Sequence, residues 1–461
     1  MAGQGSGSAG AWEPGGLAAA ALLLLVQAVV PAAAEAGSLS AAAPVAEEVE
    51  AFSPTTTVRT QVSTVTGGLA YDGDAVDAGA NTAAGFPLLN AVTFNHDTRL
   101  TIDTSFSGQD LLRLRLRSGN FGSSGFFSNP PTPLTRLDVA FQEPLCPAGG
   151  GGCTGSTVSV NRAYLQVPIG PEVRLSLGAR IMQVDMLPVW PSVYTSSPIL
   201  ELFQRSGAAG AYNRRVGSGF GAWWQPAGHL RGLSLAFATV AAQGNDGSPA
   251  DGGLFTAGGA QTSTVQLAFT RATWNLSLAY SLNGQQALLR GTPMASQLAA
   301  GARDGAINSW SLAGYWQPRR GSWLPSISAG WGYDRFAFAR YPVAGLSGVS
   351  TSSWSVGLVW ADVLSPGNTL SLAVGAPAHV TRLEGLADAS RIDDSGLALE
   401  LASLILLSDQ LSLTPALFWL NRPRGAMGAT ADLNQALLAP AGNAGTSLGV
   451  WGALVRTTLR F

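Results

Sequence analysis

The residues best placed to do chemistry in this chain are arginines, and they are regularly spaced. Arg113, Arg115 and Arg117 alternate with Leu112, Leu114 and Leu116. On a strand this pattern puts three guanidinium groups on one face and three leucines on the other, whereas a helix would scatter the charges around its cylinder. Side chains two residues apart on a strand lie about 6.6 Å from each other. The three arginines therefore make a row of positive charge, suited to attracting anions and orienting polar solutes. Flanking segments extend it: Arg99, Thr101 and Asp103 before it, then Arg162, then Arg174 and Arg180. A second reading has the same arginines pairing with acids of a nearby loop, such as Asp185 or Glu201, and only stiffening the structure. The sequence leaves both open.

Other chemistry has little raw material. Three histidines and two cysteines supply few ligands for a metal and few groups for nucleophilic catalysis. His96 and His379 fall in loops and His229 in a tight turn, where each reads as a solvated side chain. No Ser/His/Asp arrangement, phosphate-cradling glycine loop or paired-acid spacing stands out. The reading is of a protein that is not an enzyme and needs neither metal nor cofactor. Cys146 and Cys153 bracket a glycine-rich stretch that can close a small ring, which in an oxidising compartment reads as a loop disulfide. A net charge of −2 gives no argument for a nucleic-acid partner.

The elements that must position these arginines follow from the same alternation. Beyond Thr55 apolar and polar residues alternate with period two, broken by turn residues every ten or so positions. Examples are Val173, Leu175 and Leu177; Trp274, Leu276, Leu278 and Tyr280; and Trp354, Val356, Leu358 and Trp360. Charged residues make up only 12% of the chain and hydrophobic ones 46%, yet no apolar run beyond the N-terminus approaches the roughly 20 residues a spanning helix needs. Lipid cannot satisfy an open sheet edge, so the remaining membrane-spanning solution is a closed barrel. Tight links at 107–110, 168–171, 226–230, 271–273, 318–322, 363–367 and 407–409 alternate with long connections near 66–97, 118–156, 182–216, 242–261, 283–307, 336–351, 378–394 and 421–445. This predicts a 16-stranded antiparallel transmembrane β-barrel with short periplasmic turns and long outer loops. Arg136–Gln142 also alternates and is assigned to a loop rather than to the wall.

An arginine at the lipid midplane costs about 2–4 kcal/mol, so the arginine rows must face the lumen. Arg99, Asp103, Arg113, Arg115, Arg117, Arg162, Arg174 and Arg180 are the expected pore lining. The connection 182–216, rich in proline and aromatic residues, is the expected constriction loop, carrying Asp185, Glu201, Arg205, Arg214 and Arg215. The connection 118–156 is its rival. Trp223, Trp224, Trp316, Trp323, Trp331, Tyr333, Trp360, Trp419 and Trp451 fit aromatic girdles against outer-membrane lipid; saccharide-stacking platforms are the alternative.

The N-terminus reads as an export signal. An apolar stretch, Leu17 to Val30, runs into Pro31 and a small-residue cleavage region, although no basic residue precedes it. The expected organisation is a signal peptide over 1–36, a linker over 37–54 and the barrel over 55–461.

Several long stretches carry a family likeness. Phe94–Gly122, Ile327–Phe338, Trp354–Arg382, Leu411–Arg422 and Trp451–Phe461 resemble the cyanobacterial outer-membrane porins labelled iron-uptake porins and grouped with the carbohydrate-selective OprB-type porins. The likeness implies a trimeric general-diffusion barrel for ions and small polar solutes, with iron or sugars as family cargoes. The terminal Phe461, closing an alternating strand, resembles the signal read by the outer-membrane assembly machinery. Members usually carry a surface-layer-homology domain ahead of the barrel. Here Gly37–Ala51, with Glu47, Glu48 and Glu50, occupies that place, so cell-wall anchoring is not carried over.

Overall fold

The computed structural model describes residues 55–73, 89–127, 132–143, 155–194, 198–284, 289–301, 305–319, 322–337, 345–385, 393–427, 433, 437 and 448–461. The expected signal peptide, linker and disulfide (Cys146, Cys153) lie outside them. Sixteen strands close into one barrel in which each pairs antiparallel with its sequence neighbours, and the last with the first. They are β1 (Thr55–Asp72), β2 (Thr93–Ser105), β3 (Leu111–Gly119), β4 (Ser159–Ile169), β5 (Val173–Met182), β6 (Val216–Trp224), β7 (Leu233–Ala241) and β8 (Gln261–Thr270). The second half comprises β9 (Trp274–Asn283), β10 (Ala306–Trp316), β11 (Ser326–Ala337), β12 (Gly348–Ala361), β13 (Thr369–Glu384), β14 (Leu397–Leu406), β15 (Leu411–Asn421) and β16 (Gly449–Arg460). Among the described residues one α-helix, α1 (Pro293–Gly301), lies in the β9–β10 connection. No described helix is long and apolar enough to cross a membrane.

Strand and turn lengths follow the alternation. β1 and β13 run past the loop boundaries expected at 66 and 378, because ladder hydrogen bonds need no apolar side chain and Thr, Gly and Ser pair there as well as leucine does. Large apolar side chains stand out from the barrel all the way round: Leu114, Leu177, Leu235, Leu267, Leu278, Leu312, Leu401, Leu417 and Val455 are each more than a third exposed. In a water-soluble protein such a continuous apolar surface would aggregate; facing lipid it is the stable arrangement. Rings cluster on this face. Tyr280, Trp310 and Tyr333 follow one another across β9–β11 with centroids 5.5 and 5.9 Å apart, and Trp331 stacks beside Tyr333. Trp419 and Trp451 pair at 5.8 Å. Trp223 departs from the girdle: its register partner Ala236 is buried on the inward face, and its ring packs against the lumenal cluster around Met186 and Tyr212.

The core lies inside the barrel. The described parts of the connections 120–158 and 183–215 fold into the lumen, burying Phe121, Phe126 and Leu137 from one and Tyr194, Leu200 and Phe203 from the other in a single cluster with inward residues of β1 and β14–β16. Arg136–Gln142 makes no wall strand; Leu137 forms one isolated bridge to Leu200, joining the two loops.

Candidate functional site: the lumenal arginine wall

Register decides which arginines meet. Across β1–β4, Arg59, Thr101, Arg115 and Arg162 share one row; Gln61, Arg99 and Arg117 share the next, which Arg460 of β16 continues. Asp103 and Arg113 form a third row, nearer the β2–β3 turn. Neighbouring rows are about 6.6 Å apart and neighbouring strands about 4.8 Å, so the guanidinium groups form one lattice. With Arg456, inward on β16 opposite Val65, the arc β16–β1–β2–β3–β4 carries eight inward arginines against two inward aspartates.

Those aspartates bridge pairs of arginines. Asp103 accepts from Arg113 Nε at 2.6 Å and from Arg59, while Asp97 accepts from Arg117 Nε at 2.6 Å and from Arg99 Nε at 2.7 Å. Arg117 also lies over the Phe141 ring, 4.3 Å from its centroid. Arg162 donates to Asp185 of the 183–215 connection at 2.5 Å. The row is thus not the unpaired ladder that spacing suggests, and its partners come mostly from β2 rather than from a loop. Arg115 is the exception: its Nε donates to Thr101 Oγ1 at 3.0 Å, and its terminal nitrogens meet no acceptor among the described residues. Arg174 faces inward at the turn end and donates to the Gln109 carbonyl. Arg180 leaves the expected row. A register shift between Gly178 and Ile181 turns Ile181 inward and sets Arg180 opposite Ala163, on the outward row of Leu114. There it pairs with Glu143 at 2.6 Å. A bulge inserts one residue and reverses the faces beyond it, which alternation alone does not reveal.

The charged residues expected in the constriction loop bind loop to loop. Glu201 accepts from Arg205 at 2.6 Å and from Arg136 of the 120–158 connection at 3.0 Å, with Arg290 3.7 Å away; Arg214 donates to Asp138 at 2.8 Å. Burial pushes the Glu201 carboxyl upward, but the guanidinium groups of Arg205, Arg136 and Arg290 outweigh it and hold the group well below the usual carboxylate range. Burial lowers Arg136 and Arg205 to about 10, which leaves both charged at neutral pH. Arg215 is buried nearby.

The loop is fastened to the far wall by a residue that sequence reasoning did not single out. Glu400, inward on β14 and fully buried, accepts from the Tyr194 hydroxyl at 2.8 Å, the Ile199 amide at 2.9 Å and the Leu200 amide at 2.6 Å. The available signal was one acid between Ala398 and Ala402 on the otherwise apolar inward face of the strand. Gln183, Tyr212 and Asn213 bond to Thr264, Gln266 and Thr262 of β8, and Ser353 of β12 donates to the Gly207 carbonyl. Gly207 is required here: its φ is +68°, and a Cβ would lie 2.2 Å from the Gly330 carbonyl oxygen.

Where the loops lie decides where water can go. On β6–β15 the inward side chains are buried except at strand ends, as at Gln266, Ser277, Ser311, Ser371 and Thr414. Solvent reaches the inward face along the opposite arc, at Arg59, Gln61, Arg99, Arg113, Arg115, Arg117, Arg456 and Arg460. The wetted wall is therefore the arginine wall.

No protein-family model matches the chain. An uncharacterized protein of Synechocystis sp. is 27% identical over 353 residues, covering 71% of this chain and 59% of the relative, so the match spans less than two thirds of that protein's length. Among solved structures, the high-pH structure of OprB from Pseudomonas putida has a TM-score of 0.52 at 9% identity, over 90% of this chain and 96% of that one. Outer-membrane expressed OmpT of Vibrio cholerae has a TM-score of 0.50, also at 9% identity, over 88% and 98%. What is shared at this identity is the fold, a porin-like closed barrel of sixteen antiparallel strands.

Proposed function

We propose that this chain is an outer-membrane porin: an exported barrel, trimeric as the family likeness implies, that passes small inorganic ions and polar solutes by passive diffusion and favours anions. One observation carries the reading. The inward surface that water wets is lined by arginines, while most of the remaining lumenal wall is covered by loops. The chain as a whole has a net charge of −2, so its positive charge is concentrated where a solute would pass. In a channel bounded by low-dielectric walls, such a concentration raises the local anion concentration and excludes cations. A path narrowed by in-folded loops favours inorganic ions and small solutes over large ones. A sugar-selective channel would need rings on the wetted wall, whereas Tyr194, Phe203 and Tyr212 in the lumen are buried.

Planar-bilayer recordings of the purified protein under a salt gradient test this. The expected reversal potential has the sign of an anion-preferring pore. Replacing Arg113, Arg115 and Arg117 by glutamine moves it toward zero. An unchanged permeability ratio in the triple variant refutes the role of the wall.

A further inference from the structure

The arginine wall contains a cavity of about 670 Å³ at the end of the barrel where the short turns lie, bordered by Arg59, Gln61, Arg99, Arg113, Arg115 and Arg460. Resting on the anion-favouring channel proposed above, we infer that this vestibule is a binding site for small phosphorylated solutes, phosphate monoesters held through their dianionic phosphoryl group.

The first argument is stoichiometry. Two aspartates serve four arginines, Asp103 for Arg59 and Arg113, Asp97 for Arg99 and Arg117. Each trio keeps one positive charge. The guanidinium of Arg460 has no partner among the described residues, and that of Arg115 has only a threonine hydroxyl. The terminal carboxylate of Phe461 lies at the same rim, and Asp185 of the 183–215 connection acts on Arg113 and Arg115 from the loop side. Five guanidinium groups border the vestibule, and the nearby carboxylates, two of them shared between arginines, do not neutralise it.

The second argument is geometry. A guanidinium presents parallel N–H groups that match two oxygens of a tetrahedral oxyanion, and such charge-assisted pairs are among the strongest hydrogen bonds available. Arg115 has its terminal nitrogens free and is diagonal to Arg99 in the lattice, with Arg113 one row away. A dianion with three terminal oxygens can accept from several of these forks at once; chloride cannot. The cavity is much larger than phosphate requires and falls within the range that accommodates a small organic ligand. Gln61 and Gln410 supply uncharged hydrogen-bonding groups on the cavity rim for a polar body attached to the phosphoryl group.

The third argument is position. Arg117 and Arg162, on the loop side of this cavity, are engaged by the in-folded loops through Val139 and Asp185. Arg59, Arg113, Arg115 and Arg460, nearer the turns, are not. A ligand arriving from the turn side thus reaches the site without passing the loops, whereas one arriving from the other side must pass them.

Calorimetric titration of the detergent-purified full chain with glucose 6-phosphate, inorganic phosphate and glucose tests the inference at constant chloride. Saturable binding of glucose 6-phosphate, with no heat from glucose, is expected. Inorganic phosphate binds at the same place and competes. Tighter binding of phosphate than of the ester would reassign the site to the free ion and overturn the monoester claim. Arg115→Gln and Arg460→Gln each weaken binding at least about tenfold, while Arg271→Gln, at the β8–β9 turn outside the cavity, leaves it unchanged. Equal affinity in all three variants overturns the site. In bilayers, glucose 6-phosphate is expected to block chloride current at about tenfold lower concentration from one side than from the other, and symmetric block refutes the vestibule location. Binding without anion preference would sink the channel reading and leave the site standing; anion preference without saturable binding would do the reverse.

Discussion

Glu400 offers the sharpest test of how the lumen is filled. One buried carboxyl group receives a hydroxyl and two backbone amides from the 183–215 connection, at 2.8, 2.9 and 2.6 Å. A hydrogen bond contributes roughly 0.5–1.5 kcal/mol, and more where the acceptor carries charge, so with undocking returning the loop's donors to water the three together hold the loop by roughly 3–5 kcal/mol. Glu400→Ala removes all three acceptor contacts. At 1.4 kcal/mol per factor of ten, the balance between docked and released segment then shifts by roughly 100- to 4,000-fold. Glu400→Gln is milder but not neutral, since its amide nitrogen must face a donor. The Glu201 ion pairs persist, so release is confined to the contacts made through Tyr194, Ile199 and Leu200. Single-channel conductance in planar bilayers is the assay. A stepwise increase from wild type to the glutamine variant to the alanine variant is expected, with weaker anion preference as the path widens away from the arginines. If the alanine variant shows wild-type conductance while its barrel stays resistant to denaturation in gel-shift experiments, the segment does not limit the path and the reasoning fails.

Three further outcomes follow from the same geometry. Gly207→Ala forces a side chain into a positive-φ position against the Gly330 backbone. The φ penalty alone is about 1–3 kcal/mol, and the barrel's unfolding temperature should fall; an unchanged value would show that the loop crosses elsewhere. Glu201 is held ionised far below the usual carboxylate range, so its contribution is present at neutral and mildly acidic pH and is lost only as pH falls through its lowered pKa. Conductance should therefore hold steady from pH 7 to about pH 4 with respect to this group, whereas Glu201→Gln should loosen the loops already at pH 7. Finally, brominated lipid should quench the emission of Trp331 and Trp354, which face outward, so replacing both by phenylalanine removes a quenchable component. Replacing the lumenal Trp190 should leave that component intact.

The wall was legible from the chain alone because its signal is local. Alternation with period two needs only neighbouring residues, and the cost of an arginine in lipid fixes which face of Leu111–Gly119 points inward. Sixteen strands and seven tight turns were readable on those terms. What tertiary structure decided is whatever depends on partners distant in sequence. Register across β2 and β3 sets Asp103 against Arg113 and leaves Arg115 opposite a threonine, so one arginine of three identical-looking neighbours keeps a free guanidinium. A bulge before Ile181 reverses a face and takes Arg180 off the wall. The 200 residues between Leu200 and Glu400 collapse to a 2.6 Å hydrogen bond. Periodicity is a property of a strand, but which charges are neutralised, and hence which stretch of lumen is wet and cationic, is a property of the closed barrel.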